Sequence, residues 1–364
     1  MKFRCERDVL VDGLATAGRA VSSRGGALPV LSGLRVHLEG DQLRLTGSDL
    51  DLTITVDLMV AGDTDGEIVI PAKLALDIVK ALEPGAVLIE TEGDEAKISG
   101  GRSEFSVNLI PAEEFPQLSA PAADSVTLSA AEFSEGLRQV VSAASTDDSR
   151  PILTGVLLAA EGTGLRLVST DSYRLAVRDL PGATVLDEGQ TVLVPSRALN
   201  EVVRALGSAD SLTLVLGERE ASFVIDGIRL TTRLIDGDFP NYRGLIPQSQ
   251  PNRLTIGRAP LIDAVRRVKL MAREATPVRL TMRDGSVELV AITQDIGQAH
   301  EELDATYTGT ELTVAFNPEY LIAGLEAVTA DEVVLESLDA RNPAVLRGVG
   351  NEDFFYLLMP VRVS

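Results

Sequence analysis

The chain has 364 residues, 45% of them hydrophobic, so it is long enough and apolar enough to build two or three separate cores. Its formal net charge is −21, from 54 acidic and 33 basic side chains, and this average argues against a densely basic surface for nucleic acid. Aromatic residues make up only 4% and Trp is absent, which disfavours a platform for stacking single-stranded bases.

The first residues, MKFRCERDVL, scatter charges through the stretch where a secretion signal needs an apolar core. Charged residues interrupt every later apolar run, so a membrane span is not expected either. Cys5 is the single cysteine, which excludes an internal disulfide and a cysteine-based zinc site. We therefore expect a protein of the reducing cytoplasm, with Cys5 as a small buried filler.

The predicted elements recur three times along the chain. Residues 29–58 read PVLSGLRVHLEGDQLRLTGSDLDLTITVDL, and residues 151–180 read PILTGVLLAAEGTGLRLVSTDSYRLAVRDL, which aligns without a gap. A weaker third copy begins at Pro277. The interval between copies is close to the length of one small domain. The aspartates taken as corresponding are Asp49, Asp171 and Asp295.

Each repeat is predicted to contain two helices. The first helix of a repeat has apolar residues at helical spacing. The second follows a short β-branched strand and a proline, and proline is a start signal for a helix. The predicted ranges are 6–21, 71–82, 128–145, 195–206, 254–273 and 317–328.

Between the helices, apolar and polar residues alternate, as in Leu34, Val36 and Leu38, and this period of two predicts antiparallel strands with one buried face. The fold class is therefore α+β, with antiparallel sheets in one layer and two helices per repeat in the other. Short polar or proline-rich stretches at 119–125 and 248–252 are the expected linkers. The predicted domains are 1–120, 121–248 and 249–364.

Six helices on one side of a sheet layer suggest a curved array with the sheets outside. At about 10 Å between neighbouring helix axes, a circle of six helices leaves a hole of roughly 9 Å, whereas twelve leave roughly 27 Å. Duplex DNA, whose grooves alone are about 8 Å deep on each side, requires the larger hole. A ring around a duplex would therefore need two chains.

The predicted helices are together slightly basic, whereas the rest of the chain carries nearly all of the negative charge. Helices that face inward would attract phosphates weakly without reading bases. An ordinary solvated helix face is the alternative interpretation for each of these residues. The candidate DNA-facing residues are Arg24, Lys73, Lys80, Arg138, Arg150, Arg197, Arg204 and Arg266.

Four segments resemble those of the bacterial DNA sliding clamp family, the beta subunit of the replicative DNA polymerase III. They read TDSYRLAV (170–177), DGDFPNYRGLIP (236–247), VAFNPEYLIAGL (314–325) and YLLMPVRVS (356–364). The likeness extends over the whole chain, including its length, acidic composition and order of repeats. It implies a clamp fold in which two protomers join head to tail, domain 1 against domain 3, encircle duplex DNA and confer processivity on the polymerase.

The resemblance also implies a peptide-binding pocket between domains 2 and 3, where the replicative polymerase, the clamp loader and repair polymerases dock short linear motifs. The residue types suit a flexible peptide, because apolar side chains anchor it, methionine adapts to several partners and arginine fixes its orientation. A buried edge strand is the alternative interpretation of YLLMPV. The pocket residues implied are Ile152, Leu153, Thr170, Ser172, Tyr173, Arg174, Leu175, Pro240, Leu245, Pro343, Leu357, Met359, Pro360, Val361 and Arg362.

Two departures from the family pattern concern this pocket. Gly244 stands where many members carry a larger residue, and Tyr173 stands where some have histidine, so altered partner affinities are expected. The dimer interface implied by the resemblance consists of Phe105 and Val107 against Lys269, Leu270 and Met271.

A catalytic site has little support in the sequence. His37 and His300 lie at non-corresponding repeat positions, and no Walker loop, HExxH or GxSxG motif is present. The acidic pairs at 147–148 and at 236 and 238 lie in turn-like contexts, so neither a metal nor a cofactor is expected. Two alternatives stay open: a three-domain hydrolase or transferase with a polar cleft between repeats, and a repeat scaffold that binds only proteins.

Overall fold

The computed structural model describes residues 1–21, 28–111, 115–116, 121–272 and 276–362. This part of the chain forms six α-helices and 26 β-strands. The helices are α1 (Arg7–Gly18), α2 (Ala72–Ala81), α3 (Ala130–Val141), α4 (Ser196–Leu206), α5 (Arg258–Lys269) and α6 (Pro318–Ala327).

The strands follow the three repeats. The first repeat contains β1 (Lys2–Glu6), β2 (Gly33–Glu39), β3 (Gln42–Ser48), β4 (Leu52–Met59), β5 (Ala61–Thr64), β6 (Gly66–Pro71), β7 (Ala86–Glu92), β8 (Glu95–Gly100) and β9 (Ser103–Asn108). The second contains β10 (Ser125–Ser129), β11 (Gly155–Glu161), β12 (Gly164–Thr170), β13 (Arg174–Leu180), β14 (Thr191–Pro195), β15 (Ser211–Leu216), β16 (Glu220–Ile225) and β17 (Ile228–Arg233). The third contains β18 (Asn252–Gly257), β19 (Val278–Arg283), β20 (Ser286–Thr293), β21 (Gly297–Asp304), β22 (Thr306–Thr308), β23 (Leu312–Phe316), β24 (Glu332–Ser337), β25 (Ala344–Gly348) and β26 (Phe354–Leu358).

All six predicted helices are confirmed, but the helix that opens each repeat is shorter than predicted. The predictions at 128–145 and 254–273 began too early, because residues up to 129 and 257 pair as strands β10 and β18 before the helix starts. Pro195 likewise ends a strand directly before α4, whereas Pro318 is the first residue of α6. The Asn317 side chain caps α6 by accepting a hydrogen bond of 2.8 Å from the Glu319 N–H.

The chain divides into two compact units. The first unit comprises 1–131 and 201–234. It contains a five-stranded sheet in the order β5-β1-β7-β8-β9 and an eight-stranded sheet in the order β10-β15-β16-β17-β4-β3-β2-β6, with antiparallel pairing throughout. In the larger sheet, β17 of the second repeat is hydrogen-bonded to β4 of the first.

Helix α1 packs closely on the first unit's large sheet. Its buried side chains include Leu10 and Leu14, which belong to the apolar core. At Gly47 in β3, an added Cβ would overlap the carbonyl oxygen of Ala17 in α1. The distance between helix and strand therefore depends on a residue without a side chain.

The second unit comprises 132–200 and 235–364. Its larger sheet has nine strands in the order β14-β11-β12-β13-β26-β25-β24-β18-β22, and its smaller sheet has the order β21-β20-β19-β23, again with antiparallel pairing. The nine-stranded sheet places β13 of the second repeat beside β26, the final strand of the third.

Equivalent turns join the third and fourth strands of the first two repeats. In each turn one aspartate side chain accepts hydrogen bonds from two backbone N–H groups, Asp49 at 3.1 and 2.8 Å and Asp171 at 2.9 and 3.0 Å. The next residue has a positive φ, which is 79° at Leu50 and 81° at Ser172. In the third repeat the positive φ falls on Asp295 itself, at 66°. The alignment of Asp295 with the other two aspartates was therefore wrong by one residue.

The residues considered for metal or acid–base chemistry have ordinary structural partners. His37 Nδ1 lies 3.4 Å from Glu67 and His300 Nε2 lies 2.7 Å from Glu288, each between strands. Across the described ranges, no group of three or more His, Cys, Asp or Glu side chains is arranged to hold a metal ion. Cys5 is buried as predicted, and burial raises the pKa of its thiol.

The acidic pair at 147–148 belongs to a hydrogen-bonded turn. Asp147 Oδ1 accepts from the N–H and the hydroxyl of Ser149, and Oδ2 accepts from Arg150 Nε at 3.1 Å. These bonds lower the pKa of the Asp147 carboxyl. None of the helices in the described part of the chain has the length and apolar character needed to cross a membrane.

Candidate functional site

Pairing of β13 with β26 brings together two segments that are far apart in sequence, TDSYRL and YLLMP. Leu175 pairs with Leu357 across the two strands. One residue beyond β26, the N–H of Met359 donates a hydrogen bond of 2.9 Å to the carbonyl of Tyr173. The two segments singled out by the sequence therefore form one continuous surface of the second unit.

An apolar cluster underlies this surface. Its buried members include Leu175, Leu357 and Tyr242, while Ile152 and Phe239 pack against it and remain partly exposed. Tyr242 begins a 3-10 turn, so the segment around DFPNYRGL lies over the sheet. Burying these side chains stabilises the unit and leaves a preformed apolar floor.

In the segments TDSYRL, DFPNYRGL and YLLMP, three large apolar side chains remain exposed. The exposed fractions are 58% for Tyr173, 47% for Leu245 and 37% for Met359. Exposed apolar side chains beside a buried apolar cluster can bind the anchor residues of a partner. This is the chemical property that a peptide-docking surface needs.

Arg174 is held in one orientation among these groups. Its Nε donates to Asp171 Oδ2 over 2.9 Å, and its Nη1 donates to the Tyr356 hydroxyl over 3.4 Å. The guanidinium carbon lies 4.5 Å from the centre of the Tyr320 ring, a cation–π contact. A preorganised guanidinium can present its remaining N–H groups to a carbonyl or carboxylate of a ligand.

The turn between β12 and β13 sets the direction of Tyr173. The Thr170 hydroxyl donates to the Arg174 carbonyl over 2.6 Å, and the Ser172 N–H donates to Thr170 Oγ1 over 3.1 Å. The Tyr173 ring stacks on Tyr320, with 6.3 Å between ring centroids. Bonds within the turn therefore hold Thr170 and Ser172, and the neighbouring Tyr173 ring lies outward.

The other predicted pocket residues lie in the same unit in different environments. Leu153 is buried, and its carbonyl accepts from the Ser145 N–H over 2.8 Å. Val361 is partly buried, and its N–H donates to Ala315 over 2.7 Å. Pro240 and Arg362 are exposed, whereas Pro343 and Pro360 are partly exposed.

Several residues that build this site were missed by the sequence analysis. Asp171, Tyr320 and Tyr356 hold Arg174, and Tyr242 covers the apolar cluster. The chain has only five tyrosines, and four of them contribute here. The only signal in the sequence was that four of the five tyrosines lie in or near the segments of this site. It becomes informative only when the pairing of the strands is known.

Burial gives Tyr356 a distinctive titration. It raises the pKa of the phenol from 10.0 to about 12. In the unfolded chain the Tyr356 phenol loses its proton near pH 10. Burial of the neutral phenol therefore contributes its full stabilisation below that pH, and this stabilisation is lost as the pH rises to about 12. The shift corresponds to about 2–3 kcal/mol.

We expect the free energy of unfolding to fall less between pH 10 and 12 in Tyr356→Phe than in the unaltered protein. Chemical denaturation at a series of pH values would measure it, with Tyr173→Phe as the control at an exposed ring. The same steep loss in both variants would contradict the assignment.

The predicted DNA-facing residues occupy helix faces and loops. Lys73, Lys80, Arg138 and Arg197 are exposed on α2, α3 and α4. Arg24 lies outside the described residues.

The other three predicted cations form ion pairs. The shortest nitrogen–oxygen distances are 3.1 Å for Arg150 with Asp147, 2.6 Å for Arg204 with Glu201 and 2.6 Å for Arg266 with Glu326. These carboxylates reduce the positive charge that the three arginines can offer to phosphate.

The predicted interface residues lie on strand β9 and at the C-terminal end of helix α5. Phe105 is exposed on β9, an edge strand of its sheet within the described residues, whereas Val107 on the same strand is buried. Leu270, directly after α5, has an exposed fraction of 84%. Lys269 pairs with Glu319 at 2.5 Å, and the Met271 carbonyl accepts from the Thr293 hydroxyl at 2.6 Å.

Three family models match the chain in order. They describe the N-terminal, central and C-terminal domains of the DNA polymerase III beta subunit and match residues 1–119, 127–241 and 243–362.

Similarity to known proteins and solved structures covers the full length of this chain. Beta sliding clamps of Streptomyces coelicolor and Synechocystis are 37% and 32% identical, with 100% of both chains covered in each case. A DnaN sliding clamp of Bartonella birtlesii, solved bound to griselimycin, has a TM-score of 0.95 at 30% identity, again with both chains covered completely. The Bacillus subtilis DNA polymerase sliding clamp has a TM-score of 0.93 at 29% identity, with the same coverage.

Proposed function

This chain belongs to the family of the DNA polymerase III beta subunit, the bacterial sliding clamps, and from that membership we propose how it assembles and how it recognises its partners. Its function is that of the beta sliding clamp, and the role in processivity follows from the family. The dimeric ring and the peptide pocket are typical of these proteins. The observation that carries this conclusion is the ordered match of all three domains along the whole chain.

Two copies form the ring, joined head to tail between domains 1 and 3. The proposed domains are 1–120, 121–248 and 249–364. The ring acts as a topological tether, so it stays on a long duplex without a tight contact to any base or phosphate. Sliding requires weak contacts, and exposed cations without base-reading neighbours suit that requirement.

Retention on DNA tests this function directly. The clamp, loaded onto nicked circular DNA, is expected to remain bound through gel filtration and to leave once the same DNA is linearised. A protein that binds DNA through its surface alone would be retained equally on both forms. Equal retention would therefore overturn the ring.

Exposed cations on the helices provide the proposed DNA contacts. Lys73, Lys80 and Arg138 are the strongest of the predicted set, because they lie on exposed helix positions, and Arg197 is exposed on α4 as well. Arg150, Arg204 and Arg266 contribute less, since each already pairs with a carboxylate.

Partner proteins dock on the surface formed by β13, β26 and the segment around Tyr242. The proposed ligand is a short linear motif with apolar anchors, carried by the replicative polymerase, the clamp loader and repair polymerases. Tyr173, Leu245 and Met359 contact the anchors, and Arg174 orients the peptide backbone. The clamp has no catalytic site of its own, and it works in the cytoplasm, where the bacterial chromosome is replicated.

A further inference from the structure

The first unit contains a cavity of about 340 Å³ over its eight-stranded sheet. Strands β2, β3, β4 and β17 supply most of its walls, and Phe115 and Pro116 supply the rest. A volume of a few hundred Å³ is typical of sites for small ligands. None of its lining residues belongs to the predicted DNA-facing, pocket or interface sets.

The cavity occupies the same position in its sheet as the apolar cluster does in the second unit. Strand β17 pairs with β4 as β26 pairs with β13. The ion pair between Arg44 and Asp57 recurs as Arg166 with Asp179, each with two hydrogen bonds between adjacent strands. These matched pairs establish the residue-by-residue correspondence of the two sheets.

The corresponding side chains have opposite chemistry. Across four strands of the second unit, the register runs through Leu157, Val168, Val177 and Phe355. Across the equivalent strands of the first unit, the register runs through Arg35, Thr46, Thr55 and Arg229. Two arginines and two threonines thus replace a purely apolar row, so this cavity is unsuited to the anchors of an apolar peptide.

The walls carry an excess of positive charge. Arg35 is paired with Glu67 at 2.9 and 2.7 Å, and Arg44 is paired with Asp57 at 2.7 and 3.2 Å. Arg229 is exposed and has no ion pair or side-chain hydrogen bond with any residue that the structure describes. An exposed guanidinium in a concave site, unpaired among the described residues of a chain of net charge −21, favours an anionic ligand.

The threonines add neutral donors beside this cation. The hydroxyls of Thr46 and Thr55 lie 3.3 Å apart and share one hydrogen bond. That bond uses one of their two hydroxyl protons, so the other can be donated to a ligand. Together with the fork of Arg229, this hydroxyl gives one donor for each of the three terminal oxygens of a phosphoryl group, whose charge at neutral pH is larger than that of a carboxylate.

We propose that this cavity binds a phosphomonoester. Arg229 holds the phosphoryl oxygens, the free hydroxyl of the Thr46–Thr55 pair donates one further hydrogen bond, and the organic part of the ligand packs against Phe115 and Pro116. The site goes beyond the clamp function and does not depend on the ring or on the peptide surface.

Calorimetric titration of the full chain at low ionic strength tests the proposal with three probes: phenyl phosphate, inorganic phosphate and benzoate. Phenyl phosphate is expected to bind most tightly, because it has both the phosphoryl group and an apolar body. Arg229→Gln should weaken its binding by about tenfold or more, since it removes the free cation. Arg229 is exposed, so this variant is expected to fold normally.

The matched control is Arg233→Gln. Arg233 lies on the same strand, is 3.9 Å from Asp51 and does not line the cavity, so its loss should leave the affinity within about twofold. Benzoate binding as tight as phenyl phosphate, equal losses in the two variants, or no binding of phenyl phosphate at millimolar concentration would each overturn the proposal. Retention on circular DNA is measured separately, so failure of this site would leave the clamp function standing.

Discussion

A Leu270→Asp variant is expected to be a monomer in solution at micromolar concentration, whereas the unaltered chain is expected to have twice the 38.7 kDa mass of one chain. Leu270 is the most exposed large apolar residue in the described part of the chain, and it follows α5 at the proposed interface with domain 1 of a second copy. Dimerisation would remove this side chain from water. A carboxylate at that position would be desolvated without a partner.

The expected cost is several kcal/mol for each interface, which corresponds to a weakening of the dimer by about 100-fold or more. Because a head-to-tail ring has two such interfaces, retention on nicked circular DNA should be lost as well. Light scattering coupled to gel filtration measures the mass. Met59→Asp is the control, since Met59 is also an exposed apolar residue but lies on β4, which is not part of the proposed interface. A dimer mass for Leu270→Asp would reject this interface.

Met359→Glu is expected to weaken the binding of a polymerase C-terminal peptide by about 30-fold or more, because it places a carboxylate against apolar anchors. The Met359 backbone N–H is bonded to the Tyr173 carbonyl, and that bond does not involve the replaced side chain. The variant should therefore keep the pairing of β13 with β26. Leu175 and Leu357 are unsuitable for this test, since both are buried and their replacement would disrupt the apolar cluster.

Fluorescence anisotropy with a labelled peptide measures the affinity, and Met59→Glu provides the matched control at an exposed methionine of the first unit that is not among the proposed pocket residues. Dimer mass should be unchanged in both variants. Undiminished peptide affinity in Met359→Glu would show that the peptide docks elsewhere. An equal loss in the control would point to a general effect of added negative charge.

The periodic features of this protein could be predicted from sequence because they depend on local rules. A short β-branched strand followed by a proline and an amphipathic segment predicted α2, α4 and α6 closely, and the alternation of Leu34, Val36 and Leu38 predicted β2. The starts of α3 and α5 were misplaced, since Leu128 and Leu254 fit a helical pattern but pair with neighbouring strands instead. In such short apolar runs, tertiary pairing overrides local spacing.

In the pocket, too, some features could be predicted from the sequence and others depend on tertiary structure. Its segments were found through resemblance, but the partners of Arg174 were not, because Asp171, Tyr320 and Tyr356 meet only when β13, β26 and α6 pack together. The arginines and threonines of the first unit's cavity could not be predicted as one site from the sequence, for a related reason. Arg35 and Arg229 are distant in sequence, and only the register through β3 and β4 aligns them in one row.

The sequence by itself determined the threefold repeat, the α+β class and the membership of a family, because these are properties of residue order and periodicity. Tertiary structure decided which apolar residues are available to a partner: Leu175 and Leu357 are buried, whereas Tyr173, Met359 and Leu270 are exposed. The physical reason is that exposure depends on what neighbouring strands and turns cover. Two copies of one strand pattern can therefore carry an apolar floor in one unit and an arginine–threonine cavity in the other.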